Sequence, residues 1–288
     1  MPFLTVRGAR LARDVQGRTG PPVVQLHGLT SSRLRETRLG LDVAREVVQH
    51  ADRARVLSYD ARGHGRSTGA LHQRDEPEDY TWDRLAEDLV EMIDLTFGDQ
   101  PVHGVGPSMG AATLMHAAVR HPERFASLTL TVPPTIWDSR AAQAGAYEDS
   151  ARLVETEGVD AFVAAAELAD RPPAVADHPR TPPDVAERLL PTVLRGAALS
   201  DLPAPEQIAE IGVPTLLLAW SEDPTHPLTS ARRLHELIDG SVLVIARSPS
   251  QVDAWPRRFA DHLHAVSSPA SSGSAASPDS AEGAALRR

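Results

Sequence analysis

Short apolar runs alternate with amphipathic segments along most of the chain. Residues 21–28, PPVVQLHG, form a compact apolar run that ends in glycine, and this pattern predicts a buried strand. Similar runs predict further strands at 54–63, 101–106, 126–134, 213–220 and 241–246. Near the start, residues 5–17 alternate in polarity and end in glycine, which indicates a hairpin.

Segments with helical spacing of apolar residues separate these strands. In residues 83–98 the apolar side chains fall on one side and the acids on the other, which predicts an amphipathic helix. Other helices are predicted at 33–50, 109–121, 229–239 and 252–265. The alternation predicts an α/β fold, a mostly parallel sheet with helices on both faces.

Two intervals depart from this pattern. Residues 135–212 contain several helical pieces and no predicted strand, which indicates a helical lid over the sheet edge where α/β folds bind ligands. Residues 267–288 are rich in Ser, Ala, Gly and Pro, and we expect them to be disordered. The predicted organisation is a core of 1–134 and 213–266, a lid or cap of 135–212 and a tail of 267–288.

Composition narrows the classes of function. The 288 residues are 41% hydrophobic, enough for one large core domain with a smaller insertion. A net charge of −10 argues against nucleic acid and anionic membranes as partners. The chain has no cysteine and no lysine, which excludes cysteine nucleophiles, P-loop lysines and Schiff-base chemistry.

No targeting or cofactor signal stands out. The N-terminal stretch lacks the apolar core of a signal peptide, and no run of apolar residues is long enough to predict a membrane span. No spacing typical of metal ligands occurs. We therefore expect a cytoplasmic protein that acts on a small molecule without a cofactor or metal, and the oligomeric state is not determined by the sequence.

The stretch GPSMG, residues 106–110, carries the strongest chemical signal. It matches G-x-S-x-G between a predicted strand and a predicted helix, the context in which a strained turn presents a serine nucleophile. The alternative is an ordinary glycine-rich turn in which Ser108 caps the helix. The context favours Ser108 as a nucleophile.

Four stretches in order give the chain a family resemblance: QLHGLTSS, YDARGHGRSTG, GVGPSMGAAT and PTLLLAWSEDPTHP. Over about residues 1–266 the chain resembles the α/β-hydrolase superfamily of serine esterases and lactonases. The resemblance implies Ser108 as nucleophile and an oxyanion hole formed by the backbone N–H groups of Leu29 and Met109. It also implies structural roles for His27 and His64, in loops that Asp60 and Arg62 tie together.

The sequence indicates the catalytic acid and base less directly than it indicates the nucleophile. The resemblance places the acid after the fifth of the predicted strands, where Asp223 and Glu222 are adjacent and Asp223 is favoured. Asp223 could instead be only a turn residue, because Asp-Pro initiates turns. The family's catalytic histidine normally follows the last strand, but residues 248–251 read Ser-Pro-Ser-Gln. His226, three residues after Asp223, is the candidate replacement. The alternative is that His226 is only a turn residue with no part in catalysis.

The leading hypothesis is hydrolysis of a small, fairly apolar carboxylic ester, lactone or thioester through an acyl-enzyme on Ser108. Lid aromatics such as Trp137, Tyr147 and Phe162 would supply contact area for the acyl group, and the alternative for each of them is a place in the core. One alternative is a degenerate hydrolase that binds a ligand or partner, with Gln251 orienting a water or substrate. Another is a non-hydrolytic cyclase, lyase or perhydrolase in the same pocket. The sequence favours an enzyme, a carboxylic ester hydrolase.

Overall fold

Eight strands form a single sheet in the computed structural model, which describes residues 2–49, 54–71 and 74–267. The strands are β1 (Phe3–Val6), β2 (Ala9–Gln16), β3 (Pro22–Gln25), β4 (Arg55–Tyr59), β5 (Val102–Pro107), β6 (Phe125–Thr131), β7 (Thr215–Trp220) and β8 (Val242–Ala246). Their order is β1-β2-β4-β3-β5-β6-β7-β8. The pairs β1–β2 and β2–β4 are antiparallel and the remaining pairs are parallel. The predicted mostly parallel sheet and its initial hairpin are confirmed.

Helices cover both faces of this sheet. In chain order they are α1 (Arg33–Leu39), α2 (Arg45–Gln49), α3 (Trp82–Phe97), α4 (Met109–Arg120), α5 (Arg140–Glu157), α6 (Val159–Leu168), α7 (Leu190–Ala198), α8 (Pro205–Ile208), α9 (Leu228–Leu237), α10 (Pro249–Asp253) and α11 (Trp255–Ser267). Helices α3, α4 and α9 contribute side chains to one large apolar cluster, whereas α2 and α11 contribute to a second.

Strand β7 illustrates why the sheet is buried on both sides. Successive side chains of a strand point to opposite faces. Accordingly, Leu217 belongs to the first apolar cluster, and its neighbours Leu216 and Leu218 belong to the second. An unbroken apolar run is therefore what a strand covered on both faces requires.

Two predicted helices are each divided. The helix predicted at 33–50 ends at Leu39, because Gly40 adopts a left-handed φ of 71° and its N–H caps the helix on Thr37 and Glu36 carbonyls. The chain resumes as α2, and residue 50 lies outside the described residues. The helix predicted at 252–265 is divided into α10 and α11, with Pro256 in the first turn of α11, where a missing N–H is tolerated.

The interval 135–212 contains helices and no strand, apart from a single bridge between Val185 and His64. Helices α5 and α7 pack on each other through Ala151, Val154, Leu190 and Leu194. The interval is fastened to the core by the buried guanidinium of Arg140. The guanidinium lies 4.3 Å from the ring centroid of Trp82 on the core helix α3, and within the interval its Nε donates to the Ser200 carbonyl at 2.6 Å. The function of this interval as a lid remains a prediction.

Two further expectations concern the chain's periphery. No helix among the described residues is long and apolar enough to cross a membrane. Ser267 is the last residue of α11, and the remainder of the predicted tail, residues 268–288, lies outside the described residues.

Candidate active site

Ser108 occupies the sharp turn between β5 and α4. Its backbone has a φ of 50° and a ψ of −113°, a conformation that a residue with a side chain rarely adopts. The turn is held by a hydrogen bond of 3.0 Å from the Ser108 N–H to the Thr131 carbonyl on the neighbouring strand β6. Backbone strain maintained by its surroundings is typical of functional positions.

The glycines at positions 106 and 110 are explained by close packing against the loop that follows β3. A Cβ on Gly106 would lie 3.0 Å from the Cβ of Leu26, and one on Gly110 would lie 2.9 Å from the His27 carbonyl oxygen. A larger residue at either position would push the serine turn away from the loop that carries His27 and Gly28. The G-x-S-x-G pattern therefore reflects a steric requirement of this packing.

His226 lies on the loop between β7 and α9 and contacts both Ser108 and Asp223. Its Nε2 is 2.9 Å from Ser108 Oγ, and its Nδ1 is 2.8 Å from Asp223 Oδ2. Because an ionised carboxylate can only accept, Nδ1 carries the proton and donates a hydrogen bond to Asp223. The Nε2 lone pair is then free to accept the Ser108 hydroxyl proton. The structure thus brings these three predicted residues together.

Asp223 is fully engaged by its own loop. Its Oδ1 accepts from the backbone N–H groups of Thr225 and His226 at 2.9 and 3.2 Å, and its Oδ2 also accepts from the indole N–H of Trp220 at 2.7 Å. Burial alone would raise its pKa, but the His226 hydrogen bond and charge, with the Trp220 hydrogen bond, lower the pKa to about 2. Asp223 is therefore both the turn residue and the partner of His226, whereas the neighbouring Glu222 is exposed.

The segment after β8 takes no part in this arrangement. Residues 248–251 form the start of α10, and none of them lines the cavity that contains Ser108. Gln251 is exposed, and its side-chain oxygen accepts the Arg247 backbone N–H at 2.6 Å. The suggestion that Gln251 orients a water or substrate is therefore wrong, because its side chain points to the protein surface.

Leu29 and Met109 flank Ser108 from two sides. Met109 is the first residue of α4, so its N–H has no carbonyl partner within the helix and lies at the positive end of the helix dipole. Leu29 lines the same cavity as Ser108 and follows Gly28, whose N–H donates to the buried carboxyl group of Glu36 at 3.3 Å. Burial raises the pKa of Glu36, although hydrogen bonds from Ser31 and Gly28 partly oppose the shift.

The remaining motif residues hold loops together, as expected. His27 Nδ1 lies 2.8 Å from the Gly28 carbonyl, and its Nε2 accepts the Ala61 N–H at 2.9 Å. His64 is completely buried with Nδ1 2.8 Å from the Arg62 carbonyl, and burial lowers its pKa to about 3. The structural roles of His27 and His64 are confirmed.

The acidic and basic residues of the same motif also act as ties. Asp60 accepts from the backbone N–H and the Nε of Arg33 at 3.1 and 2.9 Å, which joins β4 to the start of α1. Arg62 pairs with the buried Asp88 of α3 through bonds of 3.0 and 2.8 Å. The expectation that Asp60 and Arg62 fasten these loops is therefore confirmed.

Two adjoining cavities open beside Ser108 and His226. The inner cavity, of about 330 Å³, is lined by Ser108 and His226 together with Leu29, Val132, Tyr147 and Phe162. The outer cavity, of about 470 Å³, lies between α1, α6 and the proline-rich segment 171–183. Tyr147 and Phe162 therefore contact the cavity as predicted. Trp137 does not, because it packs on the main apolar cluster and donates to the Pro203 carbonyl at 3.1 Å.

Sequence reasoning missed two residues of this site, Trp220 and Arg35. Trp220 ends β7, supports Asp223 and lines both cavities, and its ring stacks on Trp255 at 5.7 Å between centroids. Its position at the end of a predicted strand, three residues before Asp223, could have indicated from the sequence that it lies at the site. Arg35 also lines both cavities, but nothing in its local sequence distinguishes it from the other arginines of α1. Among the described residues, no three His, Asp or Glu side chains form a group that could hold a metal ion.

Curated relatives resemble this chain over most of their length. 3-Oxoadipate enol-lactonase 2 of Acinetobacter baylyi is 25% identical over 232 residues, covering 77% of this chain and 81% of the relative. The Agrobacterium fabrum protein named "Putative carbamate hydrolase RutD" is 29% identical over 204 residues, covering 68% of this chain and 75% of the relative.

A solved structure and a family model agree with the architecture. The enol-lactonase of Burkholderia xenovorans LB400 has a TM-score of 0.72 at 23% identity, covering 91% of this chain and 99% of that chain. At this identity the likeness concerns the fold. The model of the alpha/beta hydrolase fold family matches residues 21–249, which include the serine turn and the loop of Asp223 and His226. The chain therefore belongs to the alpha/beta hydrolase fold family.

Proposed function

We propose that this protein is a serine hydrolase of small carboxylic esters or lactones that works through an acyl-enzyme on Ser108. The observation that most directly supports this proposal is the contact of 2.9 Å between His226 Nε2 and Ser108 Oγ. On the other side of the imidazole, Nδ1 lies 2.8 Å from Asp223 Oδ2. A nucleophile, a base and an orienting carboxylate in this relation are the constellation of serine hydrolases.

Each residue has a defined part in the proposed reaction. Ser108 Oγ attacks the substrate carbonyl carbon while His226 Nε2 takes its proton, and Asp223 stabilises the imidazolium. The backbone N–H groups of Leu29 and Met109 stabilise the oxyanion. Collapse of the intermediate expels the alcohol, or opens the lactone, with the proton returned by His226. A water deprotonated by His226 then attacks the acyl carbon. The second intermediate collapses as the bond to Ser108 Oγ breaks, His226 returns the proton to Oγ, and the acid is released.

The inner cavity supports a small and fairly apolar acyl group. Its volume of about 330 Å³ lies at the lower end of the range for small-molecule sites, roughly 300–1,000 Å³. Aliphatic and aromatic side chains line it, with Leu29 and Val132 on the core side and Tyr147 and Phe162 from α5 and α6. The names of the enol-lactonase relatives support a lactone or ester as the substrate class.

The contact between His226 and Ser108 also bears on the competing hypotheses. A degenerate hydrolase was suggested by the absence of histidine at residues 248–251, but the position of His226 Nε2, 2.9 Å from Ser108 Oγ, supports a base on the β7–α9 loop and so favours the hydrolase. A non-hydrolytic enzyme would use the same pocket, and a direct assay of hydrolysis distinguishes it.

The test is hydrolysis of short-chain p-nitrophenyl esters and a γ-lactone by the wild type, Ser108→Ala and His226→Ala. We expect both variants to fall by about 10³- to 10⁶-fold in kcat, because the residues act as one unit. His264→Ala is the matched control, since this histidine is exposed on α11, lines neither cavity and should leave the rate unchanged. A wild type no faster than Ser108→Ala, and unlabelled by a fluorophosphonate, would contradict the proposal.

A further inference from the structure

Arg35 is an unusual residue of the cavity walls because its charge has few partners. It lies on α1 and lines both the inner and the outer cavity. Its Nη2 donates to the Thr181 carbonyl at 2.9 Å, but its buried Nε has no hydrogen-bond partner. A guanidinium has five N–H donors, and among the described residues the Thr181 carbonyl is the acceptor that the structure assigns to it.

The contrast with Arg33 shows what is missing at Arg35. Arg33 has Asp60 Oδ1 at 2.9 Å from its Nε, whereas no carboxylate oxygen of the described residues lies within 4.0 Å of the Arg35 guanidinium. Removing a charge from water without a close counter-charge is costly. Burial accordingly lowers the pKa of Arg35, with Glu36 and Asp184 opposing the shift from a distance.

Neither of those two acids neutralises Arg35 directly. Burial raises the pKa of Glu36, which favours its uncharged form, and its Oε1 is already used by the Gly28 N–H. Asp184 accepts from the Ser32 hydroxyl at 2.5 Å. A carboxylate supplied by a ligand would pair with the terminal N–H groups of the Arg35 guanidinium, a geometry suited to two parallel hydrogen bonds, whereas the buried Nε has no surface for it.

The position of Arg35 places its guanidinium in the wall of the cavity that contains Ser108. The two cavities share Arg35, His226 and Trp220 in their walls, and Ser108 lines the inner one, so a ligand held on the guanidinium can extend through the inner cavity to Ser108. Arg171 and Arg180 line only the outer cavity, and Arg180 is already bonded to the carbonyls of Ala166 and Ala169. Arg35 is therefore the arginine placed to act on the substrate itself.

We propose that Arg35 binds a carboxylate carried by the substrate, so that the preferred substrates are half-esters or lactones of dicarboxylic acids. This inference rests on the proposed function for the position of the scissile bond. The carboxylate lies against α1 at the junction of the two cavities, and the ester carbonyl lies at Ser108. Arg35 acts in substrate binding and specificity and takes no part in the proton transfers.

The first experiment compares two chain-matched esters, monomethyl adipate and methyl hexanoate, in the wild type and Arg35→Gln. We expect the wild type to prefer the anionic ester. In Arg35→Gln this preference should fall by about 10- to 100-fold, mainly through KM, as for a lost hydrogen bond to a charged group. Activity on methyl hexanoate should be retained, and Arg35→Lys should keep part of the preference.

Arg38→Gln is the matched control, because Arg38 is an exposed arginine of the same helix. It changes the net charge equally and should leave the preference unaltered. An unchanged preference in Arg35→Gln would overturn the proposal. So would an equal loss on both esters, since Arg35 would then act only through its bond to Thr181.

Binding separates this inference from the proposed function. In the Ser108→Ala protein, calorimetry with dicarboxylates from succinate to suberate needs no turnover. We expect at least one of them to bind and to lose about 10- to 100-fold in affinity when Arg35→Gln is added. Such binding, together with a wild type that hydrolyses no ester, would support the Arg35 site and refute the proposed hydrolase. Hydrolysis by the wild type without anion binding at Arg35 would support the proposed hydrolase and refute the Arg35 site.

Discussion

His226 and Asp223 lie three positions apart on one loop, and their side chains are joined by a hydrogen bond of 2.8 Å. The same carboxylate also accepts the backbone N–H of His226, so the loop fixes both the position and the ring orientation of the imidazole. Only one loop must then be placed correctly over Ser108. The segment after β8 contributes none of residues 248–251 to the Ser108 cavity, and it forms helix α10.

This arrangement predicts that a histidine at the usual family position cannot replace His226. In His226→Ala, adding Gln251→His should leave kcat at the level of the single variant, because residue 251 is exposed and does not line the Ser108 cavity. The measurement is the rate of ester hydrolysis by the two variants, with Gln251→His alone as the control for folding. Recovery to within about tenfold of the wild type would mean that the segment after β8 still reaches Ser108.

The choice between the two adjacent acids is tested by amide substitution. Asp223→Asn should lower kcat by about 10⁴-fold, as the equivalent change does in serine proteases, because an amide no longer selects the tautomer with Nδ1–H. Glu222→Gln is the control, since Glu222 is exposed, and it should leave kcat unchanged. Steady-state kinetics of both variants decide the matter. A large loss in Glu222→Gln would show that the acid has been misassigned.

Trp220 is predicted to act as a positioning residue for Asp223. Trp220→Phe keeps an aromatic ring but removes the N–H that lies 2.7 Å from Asp223 Oδ2. We expect kcat to fall by about 10-fold with little change in KM, the size expected for one hydrogen bond to a charged group. Steady-state kinetics separate the two parameters.

Trp255→Phe provides the matched comparison for that experiment. Trp255 stacks on Trp220, but its own indole N–H has no hydrogen-bond partner. The substitution should therefore lower stability through looser packing while kcat stays within about threefold of the wild type. Equal losses of kcat in both variants would indicate that ring packing, rather than the bond to Asp223, is what matters.

A residue of the site could be predicted when the features that mark it lie within a few positions of it in the sequence. The Ser108 turn was predictable because strain, a strand, a helix and two close-packed glycines all leave marks within a few residues. His226 could be proposed because Asp223 precedes it by three residues, within reach of one turn. Arg35 could not be distinguished from Arg33, because the difference lies in partners that the fold brings from far along the chain, Asp60 for one and Thr181 for the other.

The fold was predictable for a similar reason. Apolar runs such as residues 213–220 indicate strands covered on both faces, since both sides of β7 contribute to apolar clusters. The division of residues 33–50 was missed because apolar spacing continues through the left-handed Gly40. Helical spacing therefore revealed which face is buried but not where the helix is interrupted.

Acid sensitivity is expected from a histidine remote from the site. His103 on β5 is buried, with Nδ1 2.8 Å from the Ser127 hydroxyl, and burial with the nearby His262 lowers its pKa from 6.5 to about 4. Between those values the unfolded chain takes up a proton that the native protein does not. The unfolded state therefore binds more protons, and stability falls as the pH falls through this window.

His103→Gln should remove this part of the acid sensitivity. The difference in free energy of unfolding between wild type and variant should shift in favour of the variant by up to about 3 kcal/mol as the pH falls from 6.5 to 4. Urea unfolding at a series of pH values measures it. His264→Gln is the control for the substitution itself, because it makes the same change at an exposed position of α11. If the His103→Gln profile runs parallel to that of the wild type, His103 is protonated equally in the native and unfolded states, and burial does not govern its titration.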